Sequence, residues 1–226
     1  MKQLLTTAAL AAACGFLGAA TWSVTGLADK RTEAYLLDNP QLLPAMAQAY
    51  EEQAASDRLA QIGDQVYEPF PGAVLGNPNG SKVLVEFTDY NCPYCRVASK
   101  QVADLIAQDP EVKVVIREWS IFQGSEVASR MALAAADQGK FPEFHKAMFE
   151  LAPASAESVR EAAERVGLDM TRAQEFGQSR VVEAELRSNA LIAQQMGFTG
   201  TPSWIAGGTT FEGAIGTSAL QTALDR

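Results

Sequence analysis

The chain has 226 residues, 47% of them hydrophobic and 20% charged, with a formal net charge of -9. That is ordinary globular composition, enough for one sizeable core and an appendage. The acidic balance is a poor match for the phosphate contacts that dominate nucleic-acid affinity, so no nucleic-acid partner is expected.

Lys2 is the only charged side chain before Asp29. The residues between them are apolar and small, the pattern of a secretory signal over residues 1–28 with a cleavage site at Gly26–Ala28. The same stretch has the length of a bilayer span, roughly 20 residues, so a membrane anchor retained through residues 4–28 is the first alternative. A lipoprotein, acylated at Cys14 after three alanines, is the second. All three put the working domain outside the cytoplasm, where disulfides persist. Cleavage after Ala28 removes Cys14 and leaves Cys92 and Cys95 as the only thiols.

Residues 29–66 are predicted to form a separate helical segment. Asn39 suits a helix cap and Pro40 a first helical position. Pro44 deep in a helix would remove a backbone bond, so the regular helix is expected to start near Leu43. Leu36, Leu43 and Tyr50 recur every seven residues with Met46 on an adjacent face, the spacing of a short oligomerisation seam. A helix packed on its own domain is the alternative. The repeat fails at Asp57, where an apolar residue is wanted.

Residues 67–82 are rich in Pro and Gly and read as a linker with turns and a short strand at Ala73 to Leu75. The run KVLVEF, residues 82–87, has the continuous apolar character of a central strand. A helix carrying Val97, Val102, Leu105 and Ile106 follows the two cysteines and ends at Asp109–Pro110. VKVVIREW, residues 112–119, is a second strand, parallel to the first because a helix joins them. A helical region is expected over about 125–196, broken at Phe141–Pro142, Ala152–Pro153 and Gly167. Strands return at residues 203–213, with a hairpin turn at Gly207–Gly208. A last helix is expected with Thr217 as its cap. The fold class is α/β.

Cys92 and Cys95, three positions apart after a buried strand, could form a redox centre, half a metal site or a crosslink. Cys92 falls at a helix start, where unpaired N–H groups and the positive end of the dipole favour a thiolate. Pro93 fits the first turn without losing a needed bond. Cys95, one turn on, can attack a mixed disulfide formed at Cys92. A zinc site needs about four ligands, and the processed chain offers these two thiols and His145. A crosslink closing so small a loop constrains the unfolded chain little. No bound cofactor or metal is needed, because the electrons pass through the thiols themselves. A copper-handling protein that holds Cu(I) on the same two thiolates is the competing reading; a structural adaptor with a silent CxxC is a third.

Thr201–Pro202 sits just before a strand. A proline there can take the cis form. That form exposes the backbone of Thr201 beside the CxxC for an extended peptide.

The ordered set VLVEFTDYNCPYC, FPEFHKAMF and GFTGTPSW resembles the DsbA-like thiol:disulfide oxidoreductases over residues 70–226. The resemblance implies a thioredoxin fold with an inserted helical domain over residues 67–226. It implies Cys92 as attacking thiol, Cys95 as its partner, Pro202 as a cis-proline and Thr201 before it. It implies a periplasmic enzyme that forms or isomerises disulfides in unfolded or misfolded exported proteins, recycled by a membrane redox partner. AYLLDNPQLL resembles the N-terminal segment of the ScsC (suppressor of copper sensitivity) type, some of which oligomerise through it and act as isomerases.

One departure is the Pro-Tyr inside the CxxC, where strongly oxidising members have Pro-His. Glutaredoxins also carry CPYC, but the export segment, helical block and length argue against one. Glu86 interrupts the first strand just ahead of the CxxC. Buried, it would have a raised pKa and move protons to or from Cys95; the alternative is a strand end facing solvent. His145, among Phe141, Phe144 and Phe149, reads as packing; Trp119 and Trp204 read as core or groove lining and not as a cofactor site.

Overall fold

The computed structural model describes residues 2–24 and 27–225. Gly26, the first residue of the expected cleavage site, lies outside them. The chain divides into two compact units, one ending at Glu51 and one starting at Glu52.

The first unit is helical. Helix α1 spans Lys2–Val24 and α2 spans Leu27–Asp38. Among the described residues, no helix is long and apolar enough to cross a membrane. A 3-10 turn, Pro40–Leu42, leads into α3, Leu43–Ile62. Asn39 does not cap the following helix. Its side-chain amide turns back to donate to the Tyr35 carbonyl at 2.8 Å, closing the end of α2. Pro44 is tolerated because it falls in the first turn of α3, where backbone N–H groups have no intrahelical partner.

The division falls inside α3 and not at the expected limit of residue 66. The cause is packing: Ala55 and Ile62 on α3, and Val66 just after it, are buried. Ile62 and Val66 join a cluster with Phe87, Val115 and Ile192. The end of the appendage is therefore core of the second unit.

That unit is built on five strands: β1 Val74–Gly76, β2 Lys82–Thr88, β3 Val112–Glu118, β4 Ser203–Ala206 and β5 Thr209–Glu212. Their spatial order is β1-β3-β2-β4-β5. Strands β2 and β3 are parallel, with Glu86 opposite Ile116 and Thr88 opposite Glu118. The other pairings are antiparallel. Helix α4, Pro93–Gln108, makes the crossover. Five helices intervene before β4: α5 Glu126–Asp137, α6 Phe141–Leu151, α7 Ala156–Arg165, α8 Met170–Gly177 and α9 Arg180–Met196. Helix α10, Thr217–Leu224, closes the chain.

Alternation along the strands sorts side chains onto two faces. Leu84, Val112, Val114 and Ile116 enter a large cluster that also holds Leu105 of α4, Leu133 of α5 and Phe144 of α6. The helical block thus shares its core with one face of the sheet. Val85, Phe87, Val115 and Ile205 face the other way, onto Ile192 and Met196 of α9. On that face Arg117 is buried. It donates to the carbonyls of Gln65 at 2.5 Å and Glu68 at 2.7 Å, and to Asn189 Oδ1 at 2.8 Å. These bonds tie the linker and α9 to β3.

Candidate active site

The parallel pair β2–β3 ends at Thr88 and Glu118, and the chain turns from β2 into α4 through Asp89, Tyr90 and Asn91. Cys92 is the N-cap of α4, with extended backbone (φ -78, ψ 120), and Pro93 takes the first helical position. Cys95 lies one turn on. Both thiols are free. Cys95 has no exposure and Cys92 only 2%, so what access the pair has is through Cys92. The sulfur is more enclosed than a position at a helix mouth suggests, because the segment before β4 lies against it: Cys92 Sγ donates to the Thr201 carbonyl at 3.0 Å. The Thr201–Pro202 bond is cis, as is Ala152–Pro153. Four of the residues marked in the sequence thus meet here: Cys92, Cys95, Thr201 and Pro202.

Glu86 joins them from below. It is buried on β2, and neither carboxylate oxygen has a hydrogen-bond partner. Loss of hydration raises its pKa to about 8. The Thr88 hydroxyl is close enough to offset part of this, yet falls outside hydrogen-bond geometry. Burial also pushes the Cys95 thiol up, and the negative charge of Glu86 pushes it further. Burial and the proximity of the two groups thus raise the proton affinity of Cys95, and burial alone that of Glu86.

Asp89 and Asn91 fix the loops around the thiols, and nothing in the sequence marks them. Asp89 accepts from the backbone N–H of Asn91 at 2.7 Å through one oxygen. Through the other it accepts from the N–H groups of Ile121 at 2.7 Å and Phe122 at 3.0 Å, and from the Ser125 hydroxyl at 2.8 Å. Asn91 donates to the Gln123 carbonyl at 3.1 Å and accepts from the Ala154 N–H at 2.6 Å. The exposed side chains of Tyr94, Val97, Ile121 and Phe122 stand around this frame.

A second polar group lies behind it. Glu118 is buried, and desolvation raises its pKa to about 8. It accepts from Tyr90 Oη at 2.8 Å and from Ser129 Oγ at 2.9 Å. Tyr90 Oη also meets His145 Nδ1 at 3.0 Å. His145 packs on Phe141 and Phe149, as its neighbours in the sequence suggest, but it also closes this polar chain. Trp204 is fully buried, and Trp119 packs edge-on against Phe87. Among the described residues, no group of three or more His, Cys, Asp or Glu could hold a metal ion.

The family described as DSBA-like thioredoxin domain matches residues 83–225. A thioredoxin-like oxidoreductase from Silicibacter pomeroyi is 41% identical, with a TM-score of 0.68 over 72% of this chain and 95% of that one. A linker-deletion mutant of Proteus mirabilis ScsC is 22% identical, with a TM-score of 0.72 over 87% of this chain and 93% of that one. At that identity the likeness is one of fold. The chain is also 29% identical over 164 residues to a Na(+)/H(+) antiporter, NhaA 3, of Salinispora tropica. The match takes in 70% of this chain but only a quarter of the length of that protein. Fold, paired thiols and the match over residues 83–225 agree: this chain belongs to the DSBA-like thioredoxin domain family.

Proposed function

We infer that this chain, a thiol:disulfide oxidoreductase of the DsbA type, exchanges disulfides with exported proteins in the periplasm through Cys92 and Cys95. One observation carries the reading: Cys92 caps α4, touches the Thr201 carbonyl at 3.0 Å, and has a second thiol one turn behind it.

The exchange balances without any other reagent. In the donor direction a client thiolate attacks Cys92 of the Cys92–Cys95 disulfide. The Cys92–Cys95 bond breaks, and Cys95 leaves as a thiolate. A second client thiolate then attacks the client sulfur of the mixed disulfide and releases Cys92. The client loses two electrons and the protein gains them. Cys95 leaves with a high proton affinity, since burial and Glu86 both raise its pKa. Glu86, with its pKa raised to about 8, carries a proton at neutral pH and can supply it. The reverse sequence returns that proton.

Self-association is part of the reading. Leu43, Met46 and Tyr50 are exposed although they are apolar or aromatic and recur near heptad spacing. An assembly with several dithiols facing one space favours isomerisation over simple donation. A mass unchanged in light scattering after deletion of residues 29–51 would remove the support for isomerisation.

The chemical test is trapping. Cys95→Ser should accumulate a mixed disulfide with scrambled ribonuclease, visible on a non-reducing gel, because the resolving thiol is gone. Cys92→Ser should neither trap client nor reactivate it, with at least about a 1,000-fold loss of rate, as expected for an essential nucleophile. Reactivation by Cys92→Ser at the wild-type rate would sink the reading. Tight Cu(I) binding by wild type with no exchange would replace it with copper handling.

A further inference from the structure

The segment that covers the Cys92 sulfur, residues 197–202, carries little structure of its own. Helix α9 ends at Gly197, which takes a left-handed conformation (φ 75). Strand β4 starts only at Ser203. The Phe198 ring is seated edge-on against Phe87 at 5.3 Å. Beyond it, among the described residues, the N–H groups of Gly200 and Thr201 donate to no backbone carbonyl. An irregular stretch with so few backbone bonds takes its course from the groups that hold it from outside.

The end of β5 holds this one. Glu212, opposite Ser203 in the hairpin, accepts from the Thr199 hydroxyl at 2.7 Å and from the Thr199 N–H at 3.3 Å. Both donors of one residue thus end on one carboxylate. Gly213, next in the chain, donates its N–H to the Pro202 carbonyl at 2.7 Å and accepts from Trp204 Nε1 at 2.8 Å. Glu212 and Gly213 therefore grip the loop on either side of Thr201, whose carbonyl takes the Cys92 thiol at 3.0 Å. None of the exchange chemistry uses Glu212. Its bonds are of the stronger kind, since a hydrogen bond to a carboxylate is roughly twice as strong as one between neutral groups.

We propose that Glu212 is a positioning residue for the exchange reaction. Through Thr199 it sets how closely Thr201 covers Cys92, and so both the access to that sulfur and the backbone edge offered to a client. Cys92 is 2% exposed with the loop in this place. Releasing Thr199 lets the loop lift. A small reagent then reaches the sulfur more easily, while an extended client loses the edge it docks on. The two effects have opposite signs, which general loosening of the domain does not produce. The client half rests on the exchange reading given above; the access half does not.

The test uses the full reduced chain, iodoacetamide as the small reagent and scrambled ribonuclease as the client. Labelling is read by fragment mass spectrometry, which separates Cys92 from exposed Cys14 and buried Cys95. Glu212→Ala should speed labelling of Cys92 by about threefold or more and leave Cys95 unlabelled. The same variant should raise KM about fivefold with kcat within twofold, the size of effect one hydrogen bond to a charged group gives. Glu212→Gln keeps an acceptor for the Thr199 hydroxyl and should stay within about twofold of wild type in both readouts. Thr199→Val should match Glu212→Ala, and the double variant should be no worse than either alone, because both changes remove the same bond. Unchanged labelling and KM in Glu212→Ala overturn the proposal. So do labelling of Cys95 alongside Cys92, and effects of the two single changes that simply add. Faster labelling of Cys92 in the variant of a protein that exchanges no disulfides would sink the exchange reading and leave the grip of Glu212 on the loop standing.

Discussion

The two faces of the β2–β3 pair bury charge in opposite ways. On one face Arg117 is surrounded by acceptors: the Gln65, Val66 and Glu68 carbonyls, Asn189 Oδ1 and, at 3.4 Å, Glu185. On the other, Glu86 has no hydrogen-bond partner at either oxygen, and Glu118 has only hydroxyl donors. A fully solvated buried charge gains from staying in one state and holds structure together. A buried acid without donors prefers to be neutral, and its proton can leave when a neighbour needs it. The thiols stand on the second face. Saturation marks the first face, and buried carboxyls with few or no donors mark the second.

The largest effect on this contrast should come from Arg117→Met. Removing the cation leaves buried carbonyls and Asn189 without their donor, a loss of about 3 kcal/mol. The urea midpoint should fall accordingly, while exchange at 25 °C by the folded fraction stays within twofold. A variant that kept its stability but lost exchange would erase the distinction between the faces.

Glu86→Gln should do the reverse. Exchange at pH 7 should drop about 10- to 100-fold through loss of the proton donor. Stability should change with pH in a definite direction. The carboxyl of Glu86 has a folded pKa near 8 against an ordinary value of 4.5, so the folded state holds the extra proton between those values. Its contribution is fully present below about pH 4.5 and is lost as pH rises through 8. Glutamine cannot ionise, so the variant should lose less stability than wild type between pH 5 and 8.5, by a few kcal/mol. Glu118 retains a slope of the same sign in both proteins. An equal shift of the denaturation midpoint between the two pH values in wild type and variant would show that Glu86 is not buried in solution.

The smallest effect should come from the exposed pair Arg187–Glu183 on α9, at 2.7 Å. Arg187→Ala should shift stability by no more than about 0.5 kcal/mol, because solvent screens the pair. A larger loss in the same urea assay would mean that distance, not burial, sets the worth of charge here.

Much of the fold was readable because its signals are local. The strands at residues 82–88 and 112–118 are short apolar runs, and α4 declares itself by spacing and by Pro93. The breaks of the helical block follow from Pro and Gly, except the one at Gln178–Ser179, which carries neither. Cys92 and Cys95 are legible from their spacing, and Pro202 from its place before β4. What could not be read depends on partners far apart in the chain. Tyr90 finds Glu118 28 positions on and His145 55 positions on. Arg117 within an apolar run looks like a strand end until the carbonyls of residues 65–68 are seen around it. Asp89 after a strand looks like any turn residue. Asn39 has the right type for a helix cap, but its side chain closes the preceding helix. The division inside α3 has no local signal, since the heptad stops at Tyr50 while the helix continues. Its last turns carry apolar residues whose counterparts lie on β2, β3 and α9.

The four bonds converging on Asp89 have a consequence for how this protein could change. Residues 121 and 122 take their backbone course from one carboxylate more than thirty positions upstream. Their own side chains, Ile121 and Phe122, are exposed. The backbone of this loop is therefore anchored independently of its two exposed apolar side chains, so Ile121 and Phe122 should tolerate exchange without displacing the loop beside the dithiol.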